Sequence, residues 1–168
     1  EDLWERCFRT ARAHAIRDNA AWYCWYASVR HTKLEAAFAA AGASAHQQII
    51  WAKDHGTLTF CWYLWQHEPC LMGWVRPNKP YRNPASPQIG TVWSFPKGRS
   101  SKETGHPTSK PVGLFAIPIE KHTRPGELCY EPFSGSGTQI VAAEQLGRRC
   151  YALEIEPRYV DVAVQRWC

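Results

Sequence analysis

Long apolar runs are missing from this chain of 168 residues. None reaches the ~18 residues that a membrane-spanning helix needs, and no basic-then-apolar leader opens it. A Gly-X-Y rhythm is also absent, which excludes a collagen-like rod. The seven cysteines (Cys7, Cys24, Cys61, Cys70, Cys129, Cys150 and Cys168) never form a Cys-x-x-Cys pair. Neither a disulfide framework nor a metal site is therefore expected, and reduced thiols among apolar neighbours suit a cytoplasmic protein. The chain opens on Glu1 rather than Met, as a fragment or a processed product would. What is there in quantity is apolar and aromatic. Residues of hydrophobic type make up 45% of the chain, and nine are Trp, where ordinary usage gives roughly one or two. That composition excludes a disordered tail and fits one domain with a core.

Charge is concentrated. The chain carries +5 overall, yet residues 76–110 alone carry +6, with Arg76, Lys79, Arg82, Lys97, Arg99, Lys102 and Lys110 set against Glu103. The stretch is also rich in Pro, Ser and Gly and reads as an exposed basic loop. Nucleic acid or another polyanion would suit it; a loop whose charge serves solubility is the plainer alternative.

Periodicity gives the order of elements. Residues 2–16 place Leu3, Cys7, Phe8, Ala11 and Ala15 at helical spacing. A strand is expected over 20–28, then a helix over 31–41, with Thr32 as its cap and Gly42 as its stop. Residues 46–53 read as a strand ended by Asp54-His55-Gly56, and 57–75 as two strands interrupted near Gln66-His67-Glu68-Pro69. The Trp and Tyr residues at 22–26 and 62–65 are read as sheet core rather than as base-stacking platforms. Beyond the basic stretch, Pro111 can open a helix to about Lys121, kinked or shortened by Pro118. Strand 127–131, helix 137–146, strand 149–154 and helix 157–167 follow, so that 127–154 form one βαβ unit.

The turn inside that unit is Glu131-Pro132-Phe133-Ser134-Gly135-Ser136-Gly137-Thr138. A strand that runs into a glycine turn lets a ligand approach the backbone, above the positive end of the next helix. Glu154 stands nineteen residues after Gly135, where a carboxylate can accept both hydroxyls of a ribose. No Gly-Lys-Ser/Thr follows the glycines, which excludes a Walker loop. The dinucleotide fingerprint needs Gly or Ala at position 140, and Ile140 is there. A ribose-bearing cofactor without a pyrophosphate fits better, and S-adenosylmethionine is one.

Three segments in order, His106-Pro107-Thr108-Ser109-Lys110-Pro111, the turn 131–138 and Ala152-Leu153-Glu154-Ile155-Glu156-Pro157-Arg158-Tyr159, resemble the cofactor half of the β-class DNA amino-methyltransferases. Ile49-Ile50-Trp51-Ala52-Lys53 and His67-Glu68 look like weaker landmarks of that family, though His67 and Glu68 also read as a buried polar pair capping a strand end. Glu131 departs from the family's more usual Asp. The resemblance implies methyl transfer from S-adenosylmethionine to adenine N6 or cytosine N4 in double-stranded DNA, as in restriction-modification, with a homodimer among the states it admits. It also implies an α/β, Rossmann-like sheet with helices on both faces and a circularly permuted motif order, incomplete at the N-terminal side. Residues 1–75 would be the rest of the catalytic-side sheet, 76–106 the target-recognition segment and 107–168 the cofactor region.

Residue by residue, the resemblance sets Lys110 and the backbone of His106, Pro107 and Thr108 against the methionine end of the cofactor. Glu131 and Phe133 would border it beside Gly135, Ser136, Gly137 and Thr138; Glu154 would hold the ribose and Ile155 would pack on the adenine. Arg76, Lys79, Arg82, Lys97, Arg99 and Lys102 are the candidates for DNA contact. The family's chemistry sits in Asp/Ser-Pro-Pro-Tyr, with Asp favouring adenine and Ser cytosine, and no Pro-Pro dipeptide occurs here. No catalytic residue is therefore assigned. The chain alone is expected to bind the cofactor weakly and to turn over nothing, adenine N6 being the target of the whole enzyme. A nicotinamide-dependent oxidoreductase, a non-catalytic nucleic-acid-binding relic and an RNA substrate remain as alternatives.

Overall fold

The computed structural model describes residues 2–58, 60–97 and 109–168, in two compact units: Glu1–Tyr81 with Pro87–Ser94, and Arg82–Ser86 with Phe95–Cys168. In the first unit, helix α1 (Leu3–His14) starts at Asp2, whose carboxylate accepts from the Trp4 amide at 3.3 Å. Trp4, Phe8 and Ala11 form its inner face. Leu3 and Ala15 are exposed, because the apolar stripe is rotated by one residue toward Trp4. Strand β1 (Trp22–Trp25) is shorter than expected, and Trp22 and Tyr26 turn toward the helices. There Trp22 and Phe8 pack around Phe38 of α2 (His31–Ala40), with ring centroids 5.5 and 5.1 Å from it, edge to face. Thr32 does not cap α2. A 3₁₀ turn over Ser28–Arg30 leads directly into the helix and leaves Thr32 inside its first turn. Gly42 stops it as expected, at φ +75°.

Two long strands then pair as an antiparallel hairpin, β2 (Ala43–Thr57) and β3 (Trp65–Val75). The expected end of β2 at 54–56 is instead an irregularity within the strand: the register runs to Ala52 opposite His67, shifts, and resumes at Thr57 opposite Trp65. The expected break at 66–69 is absent too. Pro69 sits where β1, which pairs with residues 70–73 of β3, has run out, and its carbonyl accepts from the Tyr26 amide at 3.1 Å. Strand β4 (Val92–Ser94) lies parallel to β2 and completes the order β1-β3-β2-β4. The basic stretch is therefore not loop throughout. Its Trp93 is buried, 6.4 Å from Trp25, which also meets Trp51.

Between β2 and β3 the aromatic segment stands outside the core. Phe60 and Trp62 are fully exposed and Tyr63 is nearly so, which corrects the core reading of 62–65, and Cys61 between them is exposed as well. His67 and Glu68 do not form a pair either. His67 is exposed beside Trp65, while Glu68 meets Lys53 at 2.7 Å across the hairpin, and the Lys53 side chain is almost wholly buried.

The second unit holds α3 (Val112–His122), β5 (Leu128–Glu131), α4 (Thr138–Gln145), β6 (Arg149–Ala152) and α5 (Pro157–Trp167). Pro118 lies within α3 and does not shorten it. Strands β5 and β6 are parallel, with Cys129 opposite Cys150 and Glu131 opposite Ala152. Helices α3 and α4 enclose a core of Ile119, Cys129, Ala142 and Ala143. Burial pushes the Cys129 and Cys150 thiols up to about 11 and about 12, so neither is a thiolate near neutral pH. Among the described residues the expected single sheet is thus two, four-stranded and two-stranded, and no helix is long and apolar enough to cross a membrane.

Candidate ligand site

The parallel register of β5 and β6 carries both strands to the same end, and the chain there is built from backbone hydrogen bonds outward. Leu153 donates to the Glu131 carbonyl at 2.8 Å and Ser134 to the Leu153 carbonyl at 2.9 Å, extending the ladder past the strands. The chain then turns twice through left-handed glycines, Gly135 at φ +53° and Gly137 at φ +73°, and Gly137 becomes the cap of α4. Glu154 fixes this turn. One carboxylate oxygen accepts from the Gly135 amide at 2.6 Å and the other from the Glu156 amide at 2.9 Å. Glu131 does the same locally, accepting from the Phe133 amide at 2.8 Å.

Around the turn lies an open cleft of about 270 Å³. Of the residues singled out from the sequence, Lys110, Glu131, Phe133, Gly135, Ser136, Thr138 and Glu154 line it. Gly137 shapes the turn from behind, and Ile155 is 97% exposed beside Glu154 without lining the cleft. His106, Pro107 and Thr108 lie outside the described residues, as do Arg99 and Lys102. Arg76 and Lys79 are exposed in the first unit; Arg82 is exposed and Lys97 half-buried in the second.

Sequence reasoning missed five lining residues: Ser109, Phe115, Ser134, Gln139 and Tyr159. Ser109, Ser134 and Tyr159 stand inside the three segments already quoted, which was signal enough; Phe115 and Gln139 carry none beyond their helix faces. It also missed Arg166, whose guanidinium reaches the back of the turn from the last turn of α5.

The cleft is polar and of mixed sign. Burial raises the Glu131 carboxyl above the usual carboxylate range, an effect that the Phe133 amide and the Lys110 ammonium both oppose. The Ser134 hydroxyl is buried and has no hydrogen-bond partner among the described residues. A carboxylate held by backbone at the end of a strand, a lysine and an unpartnered hydroxyl together suit a polar ligand with hydroxyl and charged groups.

A family described as DNA methylase, of the N6/N4 methyltransferases, matches residues 14–165. The type II methyltransferase M.BglII of Bacillus subtilis is 28% identical over 156 residues, which is 76% of this chain and 43% of its own length. The DNA adenine methyltransferase YhdJ of Escherichia coli is 34% identical over 92 residues, 54% of this chain and 31% of its own. The chain thus spans less than half of either relative. Among solved structures, M1.HpyAVI in complex with SAM superposes with a TM-score of 0.84 at 23% identity, covering 96% of this chain and 80% of the other. The cytosine-N4-specific PvuII DNA methyltransferase gives 0.74 at 16% identity, covering 91% and 65%. The fold is that α/β methyltransferase fold.

Proposed function

The chain belongs to the N6/N4 DNA methylase family, and from that membership we propose that it is the S-adenosylmethionine-binding part of an enzyme that methylates an exocyclic amine in DNA, adenine N6, in the cytoplasm. The observation that carries the reading is Glu154, locked between the Gly135 and Glu156 amides in the same cleft as Lys110 and Glu131. The residues fit the cofactor. Carboxylate oxygens accept more than one hydrogen bond each, so Glu154 has capacity for ribose hydroxyls while it holds the turn. Lys110 suits the methionine carboxylate, Glu131 the cationic side of the ligand, and the buried Ser134 hydroxyl offers a further polar contact. Ile155 stands beside Glu154 with its side chain open to a flat base.

The cofactor, when bound, supplies a methyl group on a sulfonium. This chain's residues orient it: the glycine turn allows close approach, and Glu154 and Lys110 grip its two ends. The residues that would hold the target amine are not supplied here, since no Pro-Pro dipeptide occurs. The basic residues Arg76, Lys79, Arg82 and Lys97 are suited to the phosphate backbone, an interaction that weakens steeply with salt. Adenine is favoured by the relative named as an adenine methyltransferase, and the cytosine-N4-specific structure is a more distant likeness in sequence.

Calorimetry on the full chain tests the reading. S-adenosylmethionine should bind, and Glu154→Ala should weaken it roughly tenfold to a hundredfold, the loss of hydrogen bonds to a charged acceptor. Equal binding by both would sink the ribose assignment. Binding of NADH in place of S-adenosylmethionine would overturn the cofactor itself. Nucleoside mass spectrometry of DNA treated with a protein that also carries the amine-holding motif should show N6-methyladenine; N4-methylcytosine would reverse the choice of base.

A further inference from the structure

Arg166 lies outside the cleft yet touches residues that line it. Its Nη1 is within hydrogen-bond reach of the Ser136 carbonyl, of Ser136 Oγ at 2.9 Å and of Thr138 Oγ1 at 3.2 Å. Ser136 Oγ in turn donates to Ser109 Oγ at 3.1 Å. Ser136 and Thr138 are both buried, and Ser109, Ser136 and Thr138 all face the cleft. One turn earlier on the same helix stands Ala163, and residues three apart share a face. A Cβ added at Gly137 would lie 2.6 Å from the Ala163 Cβ, so α5 presses directly on the back of the turn. Helix contact and guanidinium therefore act on three consecutive residues, 136 to 138.

We propose that Arg166 is a positioning residue for cofactor binding: its guanidinium clamps Ser136 and Thr138 and, through the Ser136 hydroxyl, sets Ser109, so that the glycine turn and the segment before α3 hold one ligand-ready arrangement. The proposal deepens the reading of this cleft as an S-adenosylmethionine site and rests on it for the ligand. A lysine cannot reproduce the clamp in full, because an ammonium on a flexible stem lacks the planar, pre-set donors of a guanidinium.

The test uses the full chain with Arg166→Met, Arg166→Lys and Ser136→Ala, and reads backbone amide exchange, thermal midpoint and S-adenosylmethionine affinity well below that midpoint. In Arg166→Met, exchange at residues 135–138 should speed up about tenfold while β5 and the interior of α4 are unchanged, and Kd should rise by a similar factor. Arg166→Lys should recover part of both. Unchanged local exchange and unchanged Kd in Arg166→Met would overturn the clamp, as would a lower midpoint with faster exchange everywhere and no change in Kd. Should Arg166→Met fail to fold, Ser136→Ala decides: the same changes, smaller, support the clamp, and none refutes it. If the wild-type chain binds no S-adenosylmethionine, the cofactor reading falls, and the exchange data still judge the clamp.

Discussion

Glu131 ends β5 with its carboxyl raised by burial and only partly restored by the Phe133 amide and Lys110. A carboxyl raised in the fold binds its proton more tightly there than in the unfolded chain. Stability relative to a non-titrating residue is therefore full at low pH and falls as pH climbs from the ordinary carboxylate value through the raised one. Glu131→Gln keeps the acceptor for Phe133 and removes the charge. Its melting temperature relative to wild type should climb as pH rises from the ordinary carboxylate value of about 4 through the raised one, and then level off; a difference that shrinks over that climb would reject the assignment. Glu131 was legible because strand, carboxylate and glycines stand together in sequence. Arg166 was not, because a lone arginine in the last turn of an amphipathic helix has a sufficient reason to be there in the helix dipole. Only its distance to a turn thirty residues back gives it a role.

Helix α4 is bounded by two left-handed glycines with different surroundings. At Gly147, φ is +67° and an added Cβ would meet nothing within 4 Å. At Gly137, φ is +73° and the Cβ would collide with Ala163 of α5. Gly147→Ala should therefore cost about 1 kcal/mol, the left-handed penalty alone. Gly137→Ala should cost about 2–4 kcal/mol, since overpacking is added to it. Urea unfolding compares them directly, and equal costs would show that α5 does not press on the turn. The second unit was the more legible because its punctuation is local: Pro157 opens α5 at the expected residue, Gly137 and Gly147 bound α4, and Glu131 ends β5. In the hairpin, Pro69 is a local breaker too, but antiparallel pairing over 43–52 and 67–75 outweighs it, whereas Asp54 and Gly56 fall in the irregularity where the register shifts. That outcome depends on a partner strand, which local spacing does not reveal.

Across the whole chain, sequence order placed the α/β class and the glycine turn after β5, but not the aromatic tip of the β2–β3 hairpin. Apolar residues in a run read as buried, and Phe60, Trp62 and Tyr63 are exposed instead. Replacing Phe60 and Trp62 by Ser should leave unfolding stability within about 0.5 kcal/mol, as for surface positions, and should reduce self-association seen by light scattering. A large loss of stability would return these rings to a core. The contact of α5 with the turn has a consequence for the growing polypeptide. The turn 131 to 138 and Glu154, which form one wall of the cleft, are made well before Ala163 and Arg166, which back the turn. A nascent chain halted at Val160 would hold every residue that lines the cleft and yet leave the turn unbraced. The brace would arrive late in synthesis, with the closing turn of a helix whose first turn, at Tyr159, already lines the cleft.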